Sequence, residues 1–147
     1  MFHHPEKVRL SMELDEYLAQ QRKERRRNKH PERDEQMHFV TYVRALHPRL
    51  PMWMCPIFKY EGTALQRAKQ GATMRRMGYT KGTPDLTFLI SRKCYSGLVL
   101  EFKMPGNKPD ADQEEILKHC KDNGKSVHVV YSCAEAIKIF DWYMAQI

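Results

Sequence analysis

The run Leu98-Val99-Leu100-Glu101-Phe102 constrains this chain more than any other five residues. It is short, bounded by turn signals and apolar at every position but one, the pattern of a strand central enough to be buried on both faces. The exception is a carboxylate. Burying one costs several kcal/mol unless an opposite charge, hydrogen bonds or a cation offsets it. Any fold of this chain must therefore supply Glu101 with partners. Lys103 is the first candidate, because residues two apart on a strand share a face. A second strand, Leu86 to Ile90, precedes it across a polar turn from Ser91 to Gly97, and Asp85 opens that strand directly after Gly82-Thr83-Pro84. Pro84 restrains the backbone just ahead of Asp85. If the two strands pair antiparallel, the start of one lies beside the end of the other and Asp85 meets Glu101.

Two chemistries fit this set. One is a structural Glu101–Lys103 salt bridge at a strand end. The other is an oxygen-rich site for a hard cation such as Mg²⁺, made of two carboxylates and a backbone carbonyl. A lysine beside it would orient a water and stabilise charge building on a phosphate. Spacing alone does not separate them.

The rest of the chain reads as one α/β unit behind a charged extension. Residues 7 to 29 read as a helix in which Leu10, Leu14 and Leu18 make a narrow apolar stripe, followed by the basic run from Arg22 to Lys29. That stripe suits docking on a partner or on the chain's own domain, and the run suits phosphates, a nuclear address or plain solvation. Pro31 starts a second helix, about Glu32 to Leu46, with Phe39, Val40, Val43 and Leu46 at helical spacing. Stepping back along that stripe reaches Gln36, Glu35 and Glu32, polar groups at the rim of a core. Met52 to Phe58 reads as a strand that Pro56 confines to an edge. Gly62 to Met77 reads as a helix carrying Arg67, Lys69, Arg75 and Arg76 and stopped by Gly78. After the turn-rich Met104 to Pro109, Asp110 or Asp112 caps a helix to about Lys121. Val127 to Tyr131 is a further strand, and Ser132 with Glu135 is a capping-box pattern that starts the last helix at Cys133 and buries Ile137, Phe140 and Tyr143 or Met144.

Length bounds this to about one domain, with 1–30 as a basic extension and 31–147 as the folded part. The net charge of +7 and pI of about 9.3 favour a polyanionic partner. No apolar run approaches membrane-spanning length, and Met1 to Lys7 lacks the apolar stretch of a signal peptide, so the expected setting is intracellular with no membrane partner. The four cysteines form no Cys-x-x-Cys pair and read as free thiols rather than a zinc ribbon.

Gly82-Thr83-Pro84-Asp85 followed by Leu100-Glu101-Phe102-Lys103 resembles the signature of the PD-(D/E)xK nuclease superfamily. The continuation through Met104-Pro105-Gly106-Asn107-Lys108, Asp112-Gln113, Gly124 and Val127-His128-Val129-Val130 resembles the VRR-Nuc (virus-type replication-repair nuclease) family. So does the lead-in from Met77 to Gly82, and so do Glu32 and Gln36 one turn apart on the first-helix segment. The likeness covers about residues 31 to 146.

This resemblance implies a restriction-endonuclease-like core, a small mixed central sheet flanked by helices, here with an extra N-terminal helix. It implies phosphodiester hydrolysis, with Asp85, Glu101, the Phe102 carbonyl and Glu32 around Mg²⁺ or Mn²⁺ and with Lys103 positioning the attacking water. Gln36 and Gln113 would support the site, and Glu35 remains an alternative to Glu32. Arg67, Arg75, Arg76, Lys81 and Lys108 would contact the phosphate backbone. The family implies branched DNA such as four-way (Holliday) junctions, a homodimer, and work in replication, recombination or repair, in the nucleus or wherever DNA is replicated. Two other readings keep the fold: a catalytically silent nucleic-acid-binding module and a sequence-specific restriction-type endonuclease.

Overall fold

A computed structural model describes residues 31–147. The expected helix over 7–29 lies outside the described residues. Within them the order is α1 (Pro31–Leu46), β1 (Trp53–Met54), α2 (Ala64–Arg76), β2 (Leu86–Phe88), β3 (Leu98–Phe102), α3 (Ala111–Asp122), β4 (Ser126–Val130) and α4 (Cys133–Met144). The four strands form one mixed sheet in the order β1-β2-β3-β4. β1, β2 and β3 pair antiparallel; β3 and β4 pair parallel.

β3 is the central strand that its composition demands: all five residues are buried. Leu98, Leu100 and Phe102 point to one face, where they join Phe39 and Val43 of α1, Leu86 and Phe88 of β2, and Ala136, Phe140 and Tyr143 of α4 in a single core. Phe39 sits at its centre, with ring centroids 6.2, 5.9 and 5.8 Å from Phe88, Phe102 and Phe140. Val99 and Glu101 occupy the other face, on which α3 lies. The sheet is thus sandwiched between α1 and α4 on one side and α3 on the other, so the Glu101 carboxylate stands outside the hydrocarbon core.

Three strand boundaries and the burial of one residue differ from the sequence reading. β1 pairs only at Trp53–Met54 instead of over Met52 to Phe58, since Pro51 and Pro56 have no amide to give a ladder. β2 ends at Phe88 rather than Ile90; the Ile90 carbonyl instead accepts the Tyr143 hydroxyl at 2.6 Å. β4 starts one residue early and stops before Tyr131, whose amide donates to Glu135. Leu46 is exposed rather than buried, and the following His47 ring meets Phe140 in its place.

α2 stands apart. Its N-terminus is closed by a capping box between Thr63 and Gln66, yet Gly71 is its one buried residue. No Asp or Glu occurs from Gly62 to Pro84, a stretch that carries Arg67, Lys69, Arg75, Arg76 and Lys81. Local bonds and the cap hold this helix more than tertiary burial does.

Candidate active site

The site forms where the β2–β3 hairpin meets the first turns of α1 and α3. The register pairs Leu86 with Leu100, so one step outward Asp85 faces Glu101. A reciprocal latch joins them: the Asp85 amide donates to Glu101 Oε2 at 3.2 Å, and Asp85 Oδ2 accepts the Phe102 amide at 2.8 Å. The Asp85 carbonyl accepts the Cys55 amide at 3.1 Å. Asp85 is therefore held by both backbone groups and one carboxylate oxygen.

Glu101 is 1% exposed. Its Oε1 accepts Gln113 Nε2 at 2.5 Å and lies 3.0 Å from Lys103 Nζ. Gln113 has two tasks. As the N3 residue of α3 its Oε1 accepts the Asp110 amide at 3.0 Å, closing a capping box in which Asp110 rather than Asp112 is the cap. Its remaining amide group is thereby aimed at Glu101. Sequence reading placed Gln113 as a supporter of the site; the capping box explains how a flexible side chain keeps that aim.

Glu32 Oε1 accepts the Met104 amide at 3.1 Å, just beyond the end of β3. Glu35 goes elsewhere: its Oε2 accepts the Cys133 amide at 2.6 Å, at the N-terminus of α4. Of the two first-helix candidates, Glu32 is the one that lies with Asp85, Glu101 and Lys103. Glu32→Ala should lower cleavage at least about tenfold with little change in melting. Glu35→Ala should cost about 1 kcal/mol of stability, the loss of a helix cap, with cleavage intact; rate and melting measurements on both variants check this.

The loop ahead of Asp85 is built for close approach. Gly82 has φ +86°, and a Cβ there would fall 2.4 Å from the Asp112 carbonyl oxygen. Lys81 is ion-paired with Asp112 on the same turn. Gly82→Ala should therefore lower the melting temperature by several degrees and weaken cleavage, because both the left-handed backbone and the contact with α3 are lost.

Electrostatics reflect the crowding of like charges. Burial, and then the Asp85 carboxylate, push Glu101 up to about 7 against the pull of Lys103. Burial also raises Asp85, with Glu32 adding to it, while the Phe102 amide and Lys103 oppose. For Lys103 burial disfavours the charge, but Glu101, Glu32 and Asp85 outweigh it and hold the ammonium above its ordinary value. Burial, then the Asp85 and Glu101 carboxylates, raise the Cys55 thiol. A dication would relieve this repulsion.

Among the described residues no three His, Cys, Asp or Glu side chains form a ready ion-binding group. Mg²⁺, however, is commonly held by one or two carboxylates and keeps several waters. Asp85 Oδ1 accepts no hydrogen bond from the described residues. With Glu101 it makes a donor set of the right chemistry for a hard dication.

These groups open on a cavity of about 1000 Å³ lined by Glu32, Gln36, Asp85, Glu101, Lys103 and Gln113. Asn107 also lines it, as do Arg33 and Arg44, which the sequence did not single out. The spacing of Arg33 and Arg44 from Gln36 on α1 was an available signal. The expected phosphate contacts are dispersed. Arg67 Nη1 donates to the Gly62 carbonyl at 2.6 Å, Arg75 and Arg76 lie exposed on α2, and Lys108 is exposed beside the site.

A mixed sheet flanked by helices, with two acids and a lysine on adjacent strand ends, is a restriction-endonuclease-like core. A solved structure described as a "VRR_NUC domain protein" superposes with a TM-score of 0.57 at 22% identity, covering 76% of this chain and 89% of that one. The fold of this chain is thus the VRR_NUC fold. No family model and no curated protein matches the sequence.

Proposed function

We propose that the protein is a metal-dependent DNA endonuclease that hydrolyses phosphodiester bonds in branched DNA, four-way junctions included, in replication, recombination or repair. The observation that carries this is the Asp85–Glu101 latch with Lys103 beside it on the rim of an open cavity. The VRR_NUC fold adds support.

In this reading Asp85, Glu101 and the Phe102 carbonyl hold Mg²⁺ or Mn²⁺, and Glu32 reaches it through water. Such an ion supplies neutralisation of the charge that gathers on the phosphate and on the leaving oxygen. The chain supplies position. Lys103, anchored by one donor on Glu101, has others left to orient the attacking water. Gln113 keeps the Glu101 carboxylate from turning, and Gln36 lines the cavity within reach of the same rim. Arg67, Arg75, Arg76 and Lys81 fall in a stretch of sequence without Asp or Glu and would steer the phosphate backbone, as would the exposed Lys108 next to Asn107 of the cavity lining. A homodimer would present two such sites about a twofold axis, as a symmetric junction requires.

One observation favours a second reading. Both Glu101 oxygens already accept protein donors, as in a nucleic-acid-binding module that keeps the latch for structure alone. A cleavage panel decides between them: four-way junction, flap, nicked, single-stranded and linear duplex DNA, each with Mg²⁺ or Mn²⁺, with sizing of the free protein alongside. The expected result is cleavage fastest on the junction by a dimeric protein. DNA binding without cleavage of any member would leave the binding module.

A further inference from the structure

We infer that the cavity continues from the carboxylates into a slot for one unpaired nucleobase beside the scissile phosphate, so that the substrate must present an unstacked nucleotide. This rests on the endonuclease reading of the same site.

The cavity's lining is of two kinds: Glu32, Asp85, Glu101, Lys103 and Gln113 are charged or polar, and Met37, Val40, Met52, Met54 and Ile57 are apolar. A phosphodiester and an ion need no apolar wall. Met37, Met54 and Ile57 nevertheless stay 58%, 56% and 56% exposed, and grouped exposed apolar side chains mark a binding surface.

The helix explains the arrangement. Phe39 and Val43 of α1 enter the core, while Glu32, Arg33, Met37, Val40, Thr41 and Arg44 line the cavity. That second face runs about 18 Å at 1.5 Å per residue. It begins with an acid at the reaction centre and passes through an apolar patch. Arg33 and Arg44 stand on either side of the patch, placed for the phosphates that flank a nucleotide.

The chemistry of the wall says what kind of recognition to expect. Methionine thioethers adapt to varied flat shapes. Thr41, the one hydroxyl there, is spent on the Met37 carbonyl at 2.9 Å. The slot therefore has apolar surface for the face of a base and few donors to read its edge. It separates unpaired from paired nucleotides and tolerates any base. Extruding a base is easiest where pairing is already interrupted, as at a branch point.

The test uses the full chain carrying Asp85→Asn, which binds without cutting, and junction DNA with a single 2-aminopurine. Placed at the branch point the probe should change its emission on binding; placed inside a duplex arm it should not. Met37→Gln with Met54→Gln, uncharged and of similar length, should abolish that change. In the chain with Asp85 restored, the same pair should cut the preference for junction over continuous duplex about tenfold, the scale of one stacked base. Leu89→Gln, an exposed apolar change just beyond the end of β2, is the control and should do neither.

An undiminished 2-aminopurine response in the double variant would overturn the slot. So would a shift of the double variant from dimer to monomer on sizing, which would make the groove a seat for a second copy. Failure of the endonuclease reading is distinct: no DNA would be cut by the unmutated chain, while the branch-point response of the Asp85→Asn chain would still report the slot.

Discussion

Asp85→Asn is expected to lower metal-dependent cleavage by about three orders of magnitude while leaving the fold intact. The amide oxygen of Asn can still accept the Phe102 amide that Asp85 accepts at 2.8 Å, and the backbone bonds to Glu101 and Cys55 do not involve the side-chain charge. What disappears is one negative oxygen on a dication and its share of charge stabilisation at the phosphate. Loss of a single well-placed electrostatic group commonly costs about 10²–10³ in rate, and loss of a metal ligand at least as much. Initial rates with saturating Mg²⁺ and thermal melting, measured side by side, check both halves. A cleavage rate within tenfold of the unmutated chain would remove Asp85 from the centre of the mechanism.

The second large effect is on the pH dependence of stability. Glu101→Gln should abolish cleavage and flatten the loss of stability of the metal-free protein toward high pH, while its NH2 group gives up one of the bonds that the two carboxylate oxygens accept. Burial and the neighbouring Asp85 raise the Glu101 pKa from 4.5 to about 7 in the fold, so the folded state binds that proton more tightly than the unfolded chain. The resulting stability is fully present below about pH 4.5 and is lost as the pH rises through about 7. A displacement of that size corresponds to a few kcal/mol at most. The melting temperature of the metal-free chain should fall from pH 5 to pH 8, with Asp85 contributing in the same direction. In Glu101→Gln the fall should be much shallower, and Mg²⁺ should raise melting at pH 8 in the unmutated chain only. Parallel pH profiles for the two proteins, with or without Mg²⁺, would contradict this account.

These effects depend on features that differ in how plainly the sequence displays them. β3 was legible because five residues in a row, apolar but for Glu101, leave few alternatives to a central strand, and the hairpin register with Asp85 follows once β2 is placed beside it. The start of α4 at Cys133 was legible from Ser132. Its capping box, however, does not close: Ser132 accepts the Glu135 amide at 3.1 Å, but the Glu135 carboxylate turns to the Tyr131 amide. The next amide, that of Cys133, is held by a residue 98 positions away, Glu35. That contact commits Glu35 to the start of α4, while Glu32 reaches the Met104 amide. No local pattern contains it, because it depends on how α1 lies against α4.

The cap of α2 was readable, since Thr63 and Gln66 stand three apart, the spacing of a capping box. The apolar half of the cavity was not. Met37, Met54 and Ile57 come from a helix, a strand and a loop, and each alone looks like an ordinary surface hydrophobe. The basic residues were legible as charge but not as a surface, because Lys81 is committed to Asp112 and Arg67 to its own loop.

The central claim is that Asp85 and Glu101 bind a divalent cation. Titration of Mn²⁺ into the full chain by calorimetry, repeated on Asp85→Asn, tests it without reference to any DNA. The account predicts saturable heat from one or two ions per chain in the unmutated protein and its loss in the variant. Equal heat in both proteins, or none in either, would contradict it.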